Sequence, residues 1–179
     1  MKHSLCLDTF YNESTGKAFT VGMVFDLSSP DPLEVITSES NTESAYIPGE
    51  FYKRELPPIL NLLESYGWEK LVETVDLIIV DGFYDLWDNK PGLGHRLHDW
   101  LIQEKGIDLE IMGVAKSKPK DGETFATKVI RGQHHTTNPL WTNGSNPSRD
   151  YGKLLYDLPG EYRLPDILTK LDRKTKGKE

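Results

Sequence analysis

Apolar and polar positions alternate through the first forty residues. SLCLDTF (4–10) and TGKAFTVGMVFDL (15–27) read as strands, with NESTG between them as a hairpin turn. SSPDP makes the next turn and PLEVITSES (32–40) a third strand, so the pattern predicts an antiparallel meander. After AYIPGEFYKRE (45–55) the period changes. Leu56, Ile59, Leu60 and Leu63 have helical spacing, with Pro57 and Pro58 expected in the first turn, where a missing N–H costs little. VDLIIVDG (75–82) is a continuous apolar run, as in a strand buried on both faces of a parallel sheet, and it ends in Asp81. LGHRLHDWLIQEKG predicts a helix closed by Gly106, and IDLEIMGVAKSK another strand ending in a lysine. FATKVIRG and NPLWTNG predict an antiparallel pair. SNPSRDYGKLLYDL predicts a helix capped near Ser145 or Ser148, and RLPDILTKLDRKTKGKE a short last helix with a frayed basic end. This order is that of an α/β protein, a mixed sheet flanked by helices. A single domain over 1–173 is expected, followed by a basic flexible tail at 174–179.

Composition narrows the function. A chain of 179 residues suits one domain with a sizeable core. Its formal charge of −7 argues against a broad non-specific coat for nucleic acid, but not against a nuclease, where metal ions supply positive charge beside a phosphate. The single cysteine, Cys6, rules out an internal disulfide framework and fits a reducing, cytoplasmic setting. No apolar run reaches membrane-spanning length, no membrane partner is expected, and MKHSLCLDTF does not read as a signal peptide.

Three acids occupy element ends: Asp8 on the first strand, Glu55 where the first helix opens, and Asp81 after LIIV. If the strands adjoin, these carboxylates converge at one edge of the sheet, where their repulsion calls for a cation. Mg²⁺ suits oxygen ligands and keeps waters that can serve in phosphodiester hydrolysis. Lys116, ending the neighbouring strand, would add positive charge beside a phosphate. Each residue also has an ordinary reading: a solvated strand end, a first-turn helix acid, a turn residue and a surface lysine.

The same residues carry a resemblance. YIPGEFYKRELP (46–57), IIVDG (78–82), IMGVAKS (111–117) and GEYRLPDILTKLDR (160–173), in that order, resemble the endonuclease V family. The resemblance implies a ribonuclease H-like fold and Mg²⁺- or Mn²⁺-dependent cleavage of DNA or RNA at the second phosphodiester bond 3′ to inosine or deoxyinosine, by a protein expected to be monomeric. It places Asp8, Glu55 and Asp81 on the metal-binding carboxylates and Lys116 on the phosphate-contacting lysine. Tyr46, Ile47 and Pro48 fall on the wedge that enters beside the damaged base, and Gly49, Phe51 and Gly82 on or near the base pocket. A poorly paired base costs less to extrude, and an apolar wedge fills its vacancy.

The chain departs from this family at its histidines. Phe83, Trp87, Arg96 and Ser145 stand where histidines are usual, and Lys118-Pro119 replaces a leucine near the pocket. His134 and His135 lie in a polar loop. Trp87 and His95 offer stacking and hydrogen-bonding groups to an altered pocket, although Trp87 equally suits a buried loop anchor. Two readings follow: a divergent nuclease, or a nucleic-acid-binding or interaction module that does not cut.

Overall fold

The computed structural model describes residues 2–42, 51–86, 90–119, 125–132 and 138–178, with only the backbone for Phe51 and Tyr52. The strands are β1 (His3–Asn12), β2 (Lys17–Phe25), β3 (Pro32–Asn41), β4 (Val75–Asp81), β5 (Glu110–Ala115), β6 (Thr127–Val129) and β7 (Leu140–Gly144). They form one mixed sheet of seven strands in the order β3-β2-β1-β4-β5-β7-β6. The expected meander is present: β1 pairs antiparallel with β2, and β2 with β3. β4 lies parallel to both β1 and β5, as its unbroken apolar run predicts. β5, β7 and β6 close the sheet antiparallel.

Among the described residues five α-helices flank the sheet: α1 (Phe51–Tyr66), α2 (Trp68–Thr74), α3 (Leu93–Trp100), α4 (Tyr151–Asp157) and α5 (Asp166–Thr175). The sequence pattern did not separate α2 from α1. They part at Gly67, whose φ of 103° favours glycine. α3 continues into a π-helical turn, Leu101–Lys105, and ends as expected at Gly106 in the left-handed region. Three expectations need correction. α1 starts earlier than the prolines suggested, so Pro57 and Pro58 lie inside it. A proline at 58 donates no bond to the carbonyl of Arg54, and that carbonyl instead accepts from the Tyr11 hydroxyl at 3.5 Å. The cap of α4 is Asp150, whose carboxylate accepts from Lys153 N, rather than Ser145 or Ser148. Finally, α5 runs to Thr175, two residues into the expected tail, because Thr175 packs inward and is 3% exposed.

The sheet separates two apolar layers. Leu5, Leu7, Ile78 and Val80 pack under α1 and α3, with Ile59, Leu62, Leu63 and Leu97. Cys6, Ile79, Met112 and Val114 pack under α4 and α5, with Leu155, Ile167 and Leu171. Full burial of each such aliphatic side chain contributes about 1.5–3 kcal/mol. Among the described residues no helix is long and apolar enough to cross a membrane.

Beyond β4 the chain turns sharply over β5. Gly82 has φ 109°, and its N–H donates to Val114 O at 2.8 Å. The crossing is so close that a Cβ on Gly113 would lie 2.2 Å from Gly82 O and 2.6 Å from Tyr84 N. Gly113→Ala should therefore lower stability by about 1–3 kcal/mol or more through overpacking against backbone, measured as a reduced urea midpoint.

Candidate active site

Parallel pairing sets Leu7 beside Val80, so the next residues, Asp8 and Asp81, emerge side by side where β4 ends. Asp8 lies within β1 and not at the element end expected from sequence, because β1 runs on to Asn12 paired with β2 alone. Glu55 reaches the same edge from α1. Its approach is fixed by its neighbour Arg54, whose guanidinium lies 4.3 Å above the Tyr11 ring and pairs with Glu13. Two small clefts meet at Asp8 and Asp81. One, about 40 Å³, is lined by those two acids with Tyr11, Glu55, Ile59 and Leu93. The other, about 30 Å³, lies toward α5 and is lined by the same two acids with Lys116, Leu168 and Asp172. The sheet edge thus brings together the four residues singled out by sequence: Asp8, Glu55, Asp81 and Lys116.

Their electrostatics are coupled. Burial and then the charge of Asp81 push Asp8 up to about 6, against the pull of the Thr175 hydroxyl and Lys116. Glu55 is pushed up to about 7 by burial and then by Asp81 and Asp8, with Arg54 opposing. Asp81 is raised chiefly by desolvation; Lys116 opposes this and Asp172 adds to it. Asp81 is the most solvent-exposed of the three acids. The donor set, three oxygen-bearing acids that resist ionising together, matches the chemistry of a hard divalent cation. The side chains are not drawn in around one point. Among the described residues no three His, Cys, Asp or Glu groups stand at metal-cluster spacing. Inward rotation of carboxylates at the two clefts would be needed to enclose an ion.

α5 adds residues that sequence reasoning passed over. The Thr175 hydroxyl donates to Asp8 Oδ2 at 3.1 Å and to Asp172 O at 2.8 Å. Asp172 stands 3.7 Å from Lys116 Nζ and 3.0 Å from Lys176 Nζ. The available signal was the stripe Ile167, Leu168, Leu171, Thr175, which puts a hydroxyl at a buried helical position. Thr175→Val keeps the shape and removes a donor contributing about 0.5–1.5 kcal/mol. The Asp8 titration midpoint should then move upward from about 6, as read by carboxyl-carbon NMR.

Other predicted residues are placed differently. Gly82 shapes the turn after Asp81. His95 sits behind that turn: its Nδ1 lies 2.6 Å from Asp85 Oδ1, and its ring stacks on Tyr84 with centroids 5.0 Å apart. The Tyr84 hydroxyl in turn shares a 2.7 Å hydrogen bond with His98 Nδ1. Ser145 bonds the sheet together, its Oγ accepting from Ile111 N at 3.0 Å, and it lines neither cleft. Phe51 begins α1. Tyr46, Ile47, Pro48, Gly49, Trp87, His134 and His135 lie outside the described residues.

Comparison with known proteins gives a consistent result. No protein-family model matches the chain. It is 29% identical over 113 residues to endonuclease V of Nocardia farcinica, covering 62% of this chain and 44% of that protein. It is 28% identical over 125 residues to endonuclease V of Sulfolobus acidocaldarius, covering 69% of this chain and 52% of that protein. The chain thus spans about half the length of these curated relatives. Among solved structures, Ciona intestinalis endonuclease V in complex with inosine-containing DNA shares the fold. Its TM-score is 0.76 at 15% identity, over 98% of this chain and 85% of that one. In sequence and in fold, the chain is a relative of the endonuclease V family.

Proposed function

We propose that the chain is a Mg²⁺- or Mn²⁺-dependent nuclease that hydrolyses a phosphodiester bond on the 3′ side of inosine or a related lesion in DNA or RNA. The observation that carries this reading is the set Asp8, Glu55 and Asp81, which line one cleft, with the charge of Asp81 raising the pKa of both other acids. When bound, a divalent cation supplies Lewis-acid polarisation of the phosphate and water activated for attack. Asp8 would hold it from within β1, Asp81 from the end of β4 and Glu55 from α1. The Thr175 hydroxyl donates to Asp8 and favours its ionised form against burial and the charge of Asp81. Lys116 leans 3.7 Å from Asp172 and is free to turn its ammonium toward a phosphate oxygen when one arrives. Tyr46, Ile47 and Pro48 are assigned the wedge, and Gly49, Phe51 and Gly82 the base pocket. A monomer working in the cytoplasm completes the reading.

One observation favours a second reading, a nucleic-acid-binding module that does not cut. Ser145, standing where the family usually has a histidine, commits its hydroxyl to the Ile111 amide. End-labelled DNA and RNA strands, with and without inosine, separate the two. Cation-dependent products from the inosine strands support the nuclease. Binding by fluorescence anisotropy that persists in EDTA, with no product under Mg²⁺ or Mn²⁺, supports the second reading.

A further inference from the structure

Away from the acids, a larger cavity of about 380 Å³ opens between α1, the end of β3, the start of α2 and the π-helical turn after α3. That volume falls in the range of small-ligand sites. Trp68 and Trp100 form one wall, with ring centroids 5.7 Å apart and planes tilted by 35°. Lys105 Nζ stands 5.1 Å from the Trp68 centroid and 5.9 Å from that of Trp100. Asn61 and Glu64 line the other side, along with Ser40, whose Oγ is buried without a hydrogen-bond partner. Each half-exposed indole offers an apolar face, the lysine a cation, and Ser40 and Asn61 hydrogen-bonding groups at the edge. A buried hydroxyl lacking a partner is costly in a finished core and is satisfied when a polar ligand edge reaches it.

We infer that this cavity binds one nucleotide unit of a single-stranded nucleic acid, its base on the Trp68–Trp100 wall and its phosphate on Lys105. Aromatic faces beside a cation are the elements by which single strands are held without sequence readout, and stacking contributes about 1–3 kcal/mol per base. Lys105 stands over the rings, so a base stacking there displaces its ammonium, which the long side chain carries to the phosphate. Asn61 lies six residues beyond Glu55 on the same helix, roughly 9 Å along its axis, and on the side turned away from the acids. The choice of ligand rests on the reading that this chain acts on nucleic acid; the binding itself does not require that it cuts.

The test is tryptophan fluorescence of the full chain in EDTA, titrated with a five-nucleotide oligodeoxyadenylate, AMP, adenosine and ribose 5-phosphate. Saturable quenching is expected with the oligonucleotide and AMP, about tenfold weaker with adenosine, and none with ribose 5-phosphate. Lys105→Glu, at an exposed position, should weaken oligonucleotide binding at least tenfold, and Trp100→Leu should abolish it. EDTA withholds the divalent cation, so the titration reports this cavity separately from cleavage. No saturation with the oligonucleotide, equal binding by Lys105→Glu, or equal effects of ribose 5-phosphate and AMP would each overturn the proposal. So would binding of AMP without binding of the oligonucleotide.

Discussion

Asp81→Asn should reduce cation-dependent cleavage of an inosine-containing strand on the order of a thousandfold while making the metal-free protein more stable at neutral pH. The two effects have one cause. Asp81 is the acid whose charge raises both of the others, since it is a named contributor to the shifts of Asp8 and Glu55. Without a cation, ionising all three at one sheet edge works against folding. Replacing Asp81 by a neutral isostere relieves that repulsion, and each kcal/mol gained raises the melting midpoint by roughly 2–4 °C for a chain of this size. The same replacement removes a ligand, and loss of metal-supplied stabilisation of several kcal/mol corresponds to about three powers of ten in rate. A residue needed only for folding would lower both quantities; a surface residue would change neither.

The second large effect is in pH. Asp8 rises from 3.8 to about 6 and Glu55 from 4.5 to about 7 on folding. Below the unfolded values both states are protonated, and these groups take nothing from stability. As pH rises, the unfolded chain releases its protons first, so the folded state binds more protons and stability falls with pH. The loss continues until both folded carboxyls have ionised, above about pH 7. The melting midpoint in EDTA should therefore drop across this window, and the gap between Asp81→Asn and the intact chain should widen. Added Mg²⁺ should reverse the trend, because a cation favours the ionised acids and binds better as they lose protons. A midpoint that rises with pH in EDTA, with no difference between the two chains, would count against the coupling.

Much of this arrangement was legible in the residues. LIIVD could be read as a central parallel strand because both its faces are buried, and an acid after such a run has to project at the rim. Asp8 could be placed beside it only on the condition that the strands adjoin, and they do, one position per residue from Ser4 and Leu77 to Leu7 and Val80. What stayed hidden depended on distant contacts. Pro58 leaves the carbonyl of Arg54 without a helical donor, and Tyr11, more than forty residues earlier, takes it up. Thr175 looked like part of a basic tail, since its value comes from meeting Asp8 across 167 positions. His95 looked available to a ligand, yet Tyr84 and Asp85, brought back by the tight turn over Gly113, occupy it. The Trp68–Trp100 wall joins two helices with no local pattern linking them.

The central claim is that Asp8, Glu55 and Asp81 act as one divalent-cation site. Calorimetric titration of Mn²⁺ into the full chain at neutral pH tests it most directly. The account predicts saturable binding that weakens at least tenfold in each of Asp8→Asn, Glu55→Gln and Asp81→Asn, with proton release to the buffer showing that binding displaces protons from these acids. Binding of equal strength in all four proteins, or no binding by the intact chain, would contradict it.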